Sequence, residues 1–221
     1  MKMLVDSANL SEIERLLDSF PVDGVTTNPA LIAGEKRPFK QQIQEIRRLL
    51  PDQLPLHAQI IAKDSSGMVS QARDLYHWLD GNAWIKIPVT KEGLKAIEQL
   101  SRENIRVTGT AVYTALQAVL AAKAGADYVA PYVSRIDNEF GDGPGTVKTI
   151  VDLFSAYSFG CKVLAASFKH NSQILDVMEA GSHEATIGPA LYGRLADHPA
   201  CGRDIEAFRE TWQSQYGTFS L

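Results

Sequence analysis

Residues 83–89 read AWIKIPV, an apolar run that a single lysine, Lys86, interrupts. Strands that are buried on both faces, as in parallel sheets, have such near-continuous apolar sequences. Similar short runs, rich in apolar or β-branched residues, recur along the chain. The candidate strands are residues 3–6, 23–27, 56–61, 83–89, 106–109, 128–131, 162–166 and 185–187. The repetition predicts a parallel α/β fold with eight strands.

Between the candidate strands, apolar residues recur three or four positions apart, which is typical of a helix with one buried face. The clearest sets are Leu10, Ile13 and Leu17; Met68, Ala72, Leu75 and Leu79; Val112, Leu116 and Val119; and Val147, Ile150, Val151 and Phe154. Eight strands separated by helices predict a (β/α)8 TIM barrel, slightly smaller than the usual ~250 residues. A doubly wound open sheet is the competing architecture, but no Gly-rich nucleotide-binding loop follows the first strand. We expect one barrel domain over residues 1–221, with an extra helix at residues 203–215.

The composition is that of an ordinary globular protein, with 45% apolar and 22% charged residues and a net charge of −4. No long run of Lys or Arg is present, which argues against nucleic acid or an anionic membrane surface as a partner. No apolar stretch is long enough to span a bilayer, and Asp6 precedes any signal-peptide core, so a cytoplasmic location is expected. Cys161 and Cys201 are far apart and lack Cys or His neighbours, so neither a disulfide framework nor a zinc site is expected.

Polar side chains follow several candidate strands, and in a TIM barrel the carboxyl ends of the strands carry the catalytic groups. They are Asp6, Thr26, Thr27, Asn28, Gln59, Lys86, Thr110, Tyr132, Arg135, Ser167 and Lys169. Lys86 is the sharpest candidate, because lysine is almost never fully buried without a partner. It could instead reach solvent or pair with a carboxylate. In an apolar pocket the ammonium form is disfavoured, and the amine becomes a nucleophile towards a ketone.

The other candidates also have structural alternatives. Asp6 either caps the helix that begins near Leu10 or faces the barrel mouth. Gln59 needs a hydrogen-bond partner, since a buried unpaired amide is costly. Tyr132 is either a wall residue or a proton-transfer group. The segment 24–30 is either a strand end and turn or a set of groups for sugar hydroxyls.

Cations and a hydroxyl follow the sixth and seventh candidate strands, near the region where barrels commonly bind phosphate. Arg135 can hold phosphate with a fork of donors, and Lys169 beside Ser167 adds a point charge. A salt bridge at the rim is the alternative, because Asp137 lies only two residues from Arg135. The sequence alone leaves both interpretations open.

Five motifs occur in the same order as in one enzyme family. They are GVTTNP at residues 24–29; IKIPVT at 85–90 with EGL at 92–94; GTAVY at 109–113; VAPYV at 129–133 with RID at 135–137; and VLAASFK at 163–169. Through them the chain resembles, nearly end to end, the small bacterial fructose-6-phosphate aldolases of the transaldolase superfamily.

The resemblance implies a class I aldolase that reversibly cleaves fructose 6-phosphate to dihydroxyacetone and glyceraldehyde 3-phosphate, without a metal or an organic cofactor. The implied roles are a Schiff base on Lys86, proton handling by Asp6, hydroxyl binding by Thr26 and Asn28, water positioning by Gln59, Thr110 and Tyr132, and phosphate binding by Arg135, Ser167 and Lys169. Typical transaldolases carry Glu at the position of Gln59 and Phe at that of Tyr132, so both positions here match the aldolases. A true transaldolase and a catalytically silent, sugar-phosphate-binding barrel are the rival interpretations.

The chain departs from the family after the seventh candidate strand. Residues 171–172 are Asn-Ser where relatives often have Pro-Arg, and residues 185–190 read ATIGPA where TLPL is usual. These positions border the expected phosphate side, so a shifted acceptor preference is compatible with the sequence. The family also implies a homo-oligomer, a decamer or pentamer, and the apolar face of Ile205, Phe208 and Trp212 suits either a docking element or a lid.

Overall fold

Eight parallel β-strands close into a barrel in which each strand pairs with its neighbours in the sequence and the last pairs with the first. The structure, a computed structural model, describes residues 1–220. The strands are β1 (Lys2–Asp6), β2 (Val25–Thr26), β3 (Leu56–Gln59), β4 (Trp84–Pro88), β5 (Val107–Val112), β6 (Tyr128–Pro131), β7 (Lys162–Ala165) and β8 (Glu184–Ile187). Each coincides with a candidate strand, although the ends of several strands differ from the prediction. The prediction of a (β/α)8 barrel is confirmed.

Helices surround the barrel and connect successive strands. They are α1 (Leu10–Ser19), α2 (Pro29–Gly34), α3 (Phe39–Leu49), α4 (Ser65–Trp78), α5 (Lys91–Arg102), α6 (Ala115–Lys123), α7 (Val133–Asn138), α8 (Gly143–Ala156), α9 (Asn171–Glu179), α10 (Pro189–Tyr192) and α11 (Pro199–Tyr216). Helix α11 is the predicted C-terminal helix, and it begins earlier and ends slightly later than expected. None of the helices in residues 1–220 combines the length and apolar character needed to cross a membrane.

Strand β4 shows why the lysine points inward. Ile85 and Ile87 are fully buried in the apolar core of the protein. Because alternate side chains of a strand point to opposite faces, Lys86 lies on the face opposite to these isoleucines, inside the barrel. In the sheet register Lys86 is the partner of Gln59 on β3 and of Thr108 on β5. The lysine therefore stands between two polar side chains of the neighbouring strands.

A polar bridge crosses the barrel interior below Lys86. His57 lies two residues before Gln59 on β3, is fully buried, and places its Nδ1 2.8 Å from the Thr108 hydroxyl of β5. Its ring stacks on Trp84 at a centroid distance of 5.3 Å. Burial, helped by the nearby charge of Lys86, lowers the pKa of His57 to about 3. This imidazole is therefore neutral at physiological pH and adds no charge below the lysine.

Strand β5 contains a β-bulge next to the site. Gly109 pairs with Val129 on β6, but the next pair is Val112 with Pro131, so β5 has one extra residue. The backbone of Ala111 takes up the extra length with φ of 55°. The prediction that Val112 begins the apolar face of the following helix was wrong, since it belongs to β5, and Leu116 of that face is 74% exposed. Helix α6 instead buries two alanines.

Candidate active site

A cavity of about 440 Å³ opens at the carboxyl ends of the strands. Among the residues that line it are eight predicted from the sequence: Asp6, Asn28, Gln59, Lys86, Tyr132, Arg135, Ser167 and Lys169. Pro29, Ala30, Ala166, Phe168, Thr186 and Gly188 complete the lining. Thr26 and Thr110 lie behind this wall and hydrogen-bond to residues that line it. The fold thus brings groups that the sequence places near the ends of different strands to one site.

Lys86 is 4% exposed and lies at the wall of this cavity. Its Nζ donates a hydrogen bond to the carbonyl oxygen of Thr27 at 2.8 Å. It forms no ion pair with a carboxylate of residues 1–220, and it does not reach bulk solvent. Burial lowers the pKa of Lys86 below its ordinary 10.5, against the smaller opposing effect of the Asp6 charge. A buried amine without a carboxylate partner is disposed to lose its proton and act as a nucleophile.

Asp6 ends β1 and takes part in a short series of hydrogen bonds across the barrel mouth. The Thr26 hydroxyl donates to Asp6 Oδ1 at 2.7 Å and lies 2.6 Å from the Thr186 hydroxyl. Burial raises the pKa of Asp6 above its ordinary 3.8, and the charge of Lys86 opposes this shift. The N-cap of α1 is Asn9, whose side chain accepts from the backbone of that helix, so Asp6 is not needed as a cap.

Tyr132 and Thr110 form a hydroxyl pair on the side of the cavity formed by β5 and β6. Their oxygens are 2.9 Å apart, and either can be the donor. The Tyr113 ring packs edge-on against the Tyr132 ring, and the guanidinium carbon of Arg135 lies 4.6 Å above that ring. Gln59 Oε1 is buried and accepts no hydrogen bond from residues 1–220. An unpaired acceptor and a hydroxyl pair on the walls of one cavity can order a water molecule.

Two cations and a serine occupy the side of the cavity formed by β6 and β7. Neither Arg135 nor Lys169 forms an ion pair within residues 1–220. Asp137, the neighbour that could have paired with Arg135, accepts instead from the backbone of Gly143. Ser167, with φ of 64°, places its hydroxyl 3.0 Å from that of Ser134. Two exposed, uncompensated cations beside hydroxyl groups are a suitable anion site.

Asn28 has two roles that its side chain can fulfil together. Its Oδ1 accepts from the backbone N–H groups of Ala30 and Leu31 and so caps α2. The residue also lines the cavity, and its amide nitrogen donates to no other residue within the described chain. This nitrogen is available to a hydroxyl of a ligand.

Sequence reasoning missed Thr186, Ser134 and the carbonyl role of Thr27. Thr186 carried a usable signal, because it is a polar residue near the end of the last candidate strand. Ser134 and the Thr27 carbonyl carried none, since hydrogen bonds between distant segments depend on the closed barrel. Within residues 1–220, no group of three or more His, Cys, Asp or Glu side chains is arranged to hold a metal ion.

Comparisons with known proteins agree with this fold and identify the family of the chain. The family model described as Transaldolase/Fructose-6-phosphate aldolase matches residues 3–218. The chain therefore belongs to this family, and it is an enzyme of the transaldolase family. It is similar to a probable transaldolase of Kosmotoga olearia, with 43% identity over 213 residues and 96% of each chain covered. It is also similar to proteins named probable transaldolase 2 from Listeria monocytogenes and Listeria innocua, each 38% identical over 214 residues with 97% of both chains covered.

The likeness to one solved structure supports the fold and nothing beyond it. It is a cube-shaped, highly porous protein cage designed by fusing symmetric oligomeric domains. The two chains superpose with a TM-score of 0.62 at 17% identity, over 97% of this chain and 77% of that one. At this identity the likeness is one of barrel architecture.

Proposed function

We propose that this protein is a class I aldolase that reversibly cleaves fructose 6-phosphate to dihydroxyacetone and glyceraldehyde 3-phosphate through a Schiff base on Lys86. The observation that carries the proposal is the burial of Lys86 without a carboxylate partner, in a cavity shared with two unpaired cations. The amine supplies the nucleophile for a ketone, and the cations supply the charge that a phosphate needs. The reaction requires no metal or organic cofactor, because the protonated imine acts as the electron sink.

The first stage is formation of the imine. The neutral Lys86 amine adds to the C2 carbonyl of the sugar, and its lone pair forms the new C–N bond while the carbonyl oxygen becomes a hydroxyl. Asp6, whose pKa burial raises, donates the proton with which this hydroxyl leaves as water. Thr26 holds Asp6 by its hydrogen bond and so acts on the substrate through Asp6. The Asn28 amide nitrogen holds a substrate hydroxyl.

The second stage breaks the C3–C4 bond. A water molecule held by Gln59 and the Thr110–Tyr132 hydroxyl pair takes the proton of the C4 hydroxyl. The electron pair of the C3–C4 bond flows to the imine nitrogen, which leaves an enamine on Lys86 and releases glyceraldehyde 3-phosphate. Protonation of the enamine at C3 and hydrolysis of the resulting imine give dihydroxyacetone and the free amine. The reverse sequence joins dihydroxyacetone to an aldehyde.

In this proposal the substrate phosphate contacts Arg135, Ser167 and Lys169. Arg135 and Lys169 have no competing carboxylate within the described residues, so their charges are available to the phosphate oxygens. The cations follow β6 and β7, and the amine lies on β4 across the same cavity. In this proposal one sugar phosphate contacts both the amine and the cations.

Borohydride reduction tests the central claim. The protein is incubated with fructose 6-phosphate or dihydroxyacetone, reduced, digested and analysed by peptide mass. We expect a three-carbon or six-carbon adduct on Lys86, and none in the Lys86→Met variant. Product formation without an adduct on Lys86 would refute the Schiff-base mechanism. Absence of both product and adduct would instead support the silent barrel.

A transaldolase is the second candidate, and it is equally compatible with the family and with the names of the related proteins. It would pass the three-carbon unit from Lys86 to an aldose phosphate such as erythrose 4-phosphate. Two assays separate the candidates: dihydroxyacetone with glyceraldehyde 3-phosphate, and fructose 6-phosphate with erythrose 4-phosphate. The aldolase proposal requires efficient use of free dihydroxyacetone. Efficient transfer with negligible use of free dihydroxyacetone would contradict it.

A further inference from the structure

A series of hydrogen bonds lies outside the cavity, behind its cationic side. Asp137 of α7 accepts from the backbone N–H of Gly143 with Oδ1 at 2.7 Å and from Gln173 Nε2 of α9 with Oδ2 at 2.6 Å. The other end of the Gln173 amide, Oε1, accepts from the backbone N–H of Lys169 at 2.8 Å. The Gln173 amide therefore connects helix α7 to the loop that follows β7.

The two connected segments carry different parts of the proposed phosphate site. Helix α7 carries Arg135, and the loop between β7 and α9 carries Ser167 and Lys169. The loop needs such support because Ser167 has a left-handed backbone, with φ of 64°, which costs a non-glycine residue free energy. The Ser134 backbone N–H donates to the Ser167 carbonyl at 2.8 Å and fixes one end of the loop. Gln173 fixes the other end, at Lys169.

We propose that Gln173 is a positioning residue that sets the preference for phosphorylated substrates, by holding Lys169 and Ser167 in register with Arg135. This inference rests on the proposed function, because it takes the cationic side as the phosphate site. Gln173 does not line the cavity, so it acts through the loop and the helix and touches no substrate. It is absent from the wall that holds Lys86, Asp6 and the hydroxyl pair.

The Gln173→Leu variant tests the role of the amide. Leucine fills a similar volume and can neither donate to Asp137 nor accept from Lys169. We expect KM for fructose 6-phosphate to rise roughly tenfold, the effect of losing a hydrogen bond to a charged group. The kcat value for dihydroxyacetone with unphosphorylated glyceraldehyde should stay within about twofold of wild type, as removal of binding energy alone predicts. Gln99→Leu, on the exposed face of α5, is the matched control and should change neither value.

Exchanging the acid at position 137 with the amide at position 173 gives a sharper test. In Asp137→Asn two amides face each other, and in Gln173→Glu two carboxylates face each other, so each single variant breaks one link. In the double variant, the amide at position 137 accepts from Gly143 and donates to the carboxylate at position 173, which also accepts from Lys169. The series of hydrogen bonds is then complete again, with the same pair of groups exchanged between the two helices. We expect KM for fructose 6-phosphate to rise in both single variants and to return to within about threefold of wild type in the double variant.

Inorganic phosphate, used as a competitive inhibitor of the unphosphorylated reaction, reports on the anion site without the sugar. Its inhibition constant should rise in Gln173→Leu and in both single variants of the exchange. It should return towards the wild-type value in the double variant. Equal losses for phosphorylated and unphosphorylated substrates, or no rescue in the double variant, would overturn the positioning role. A wild-type protein that turns over neither substrate pair would overturn the proposed function instead, so the two failures are distinguishable.

Discussion

We expect the buried amine of Lys86 to reduce the stability of the fold. Its amine is buried, and its one hydrogen bond within the described residues goes to a neutral carbonyl oxygen. We expect Lys86→Met, which keeps the volume and removes the polar group, to raise the free energy of unfolding by roughly 1 to 3 kcal/mol at pH 7. The same variant should lose all aldol activity. Chemical denaturation and a turnover assay measure the two effects, and Lys123→Met, at an exposed position, should change neither.

The pH dependence of this stability difference follows from the direction of the pKa shift. The unfolded chain protonates Lys86 near 10.5, whereas in the folded chain the pKa is lower. Between these two values the unfolded state binds more protons, so wild-type stability rises with pH in this window. The advantage of Lys86→Met should therefore decrease as the pH rises through this window towards 10.5. An advantage that stays constant over this range would show that the amine is not desolvated.

The Tyr132 hydroxyl is predicted to act in proton transfer and not in imine formation. Tyr132→Phe keeps the ring under Arg135 and removes the bond to Thr110. We expect kcat for cleavage of fructose 6-phosphate to fall roughly 100-fold to 1000-fold, the usual effect of a lost acid or base. Borohydride trapping on Lys86 should persist. The control is Tyr113→Phe. The Tyr113 ring contacts Tyr132, but the Tyr113 hydroxyl forms no hydrogen bond within residues 1–220.

Single residues differed in how far the sequence could predict them. Lys86 was recognisable because a lysine inside an apolar strand is rare, and its burial agrees with that signal. His57 lies in the same kind of run and is just as buried, yet nothing in its neighbourhood along the chain singles it out. The Nδ1 atom of the neutral imidazole pairs with the Thr108 hydroxyl, and that partner is 51 residues away in the sequence. The sequence therefore predicts burial of such a polar side chain only when its hydrogen-bond partner is known.

At the scale of elements, the β-bulge in β5 orients the Thr110 side chain towards Tyr132. The extra residue, Ala111, has φ of 55°, and it follows directly on Thr110, whose hydroxyl meets Tyr132. We expect Ala111→Val to lower the free energy of unfolding by about 1 to 2 kcal/mol, because a β-branched residue resists this conformation. The kcat value should fall as well, since Thr110 turns away from Tyr132. Ala111→Gly should be as stable as wild type or slightly more stable, and a common loss in both variants would contradict this explanation.

The same bulge explains where the prediction of elements failed. Recurring apolar runs identified all eight strands, because a closed parallel barrel buries every strand on both faces. The prediction placed Val112 on a helix, since Leu116 and Val119 follow it at helical spacing. The irregular register extends β5 to Val112, and α6 then presents its small residues to the core. Periodicity cannot reveal one inserted residue in a strand, so element ends are less predictable than elements.

At the scale of the whole molecule, α11 is an amphipathic helix without a partner surface within residues 1–220. None of its residues is buried, and Phe208, 71% exposed, lies near Ile205 and Trp212. An 18-residue helix with such a face is expected to pack on a second copy of the chain. We expect light scattering to show a homo-oligomer and Phe208→Glu to shift it towards smaller species. Arg203→Glu, on the same helix, should keep the wild-type mass, and a monomeric wild-type protein would refute the expectation.

The hydrogen bond between Thr26 and Thr186 also determines when the site can form during synthesis. It joins residues 160 positions apart and supports the carboxyl of Asp6 from the last strand of the barrel. A nascent chain carries Lys86 and Asp6 long before Thr186 has been added, because synthesis proceeds from the N-terminus. We also expect such a long-range contact to form late in folding, because its loop-closure entropy must be overcome first. The unfinished polypeptide therefore lacks the hydrogen bonds that surround Asp6 in the folded protein until the last strand joins the barrel.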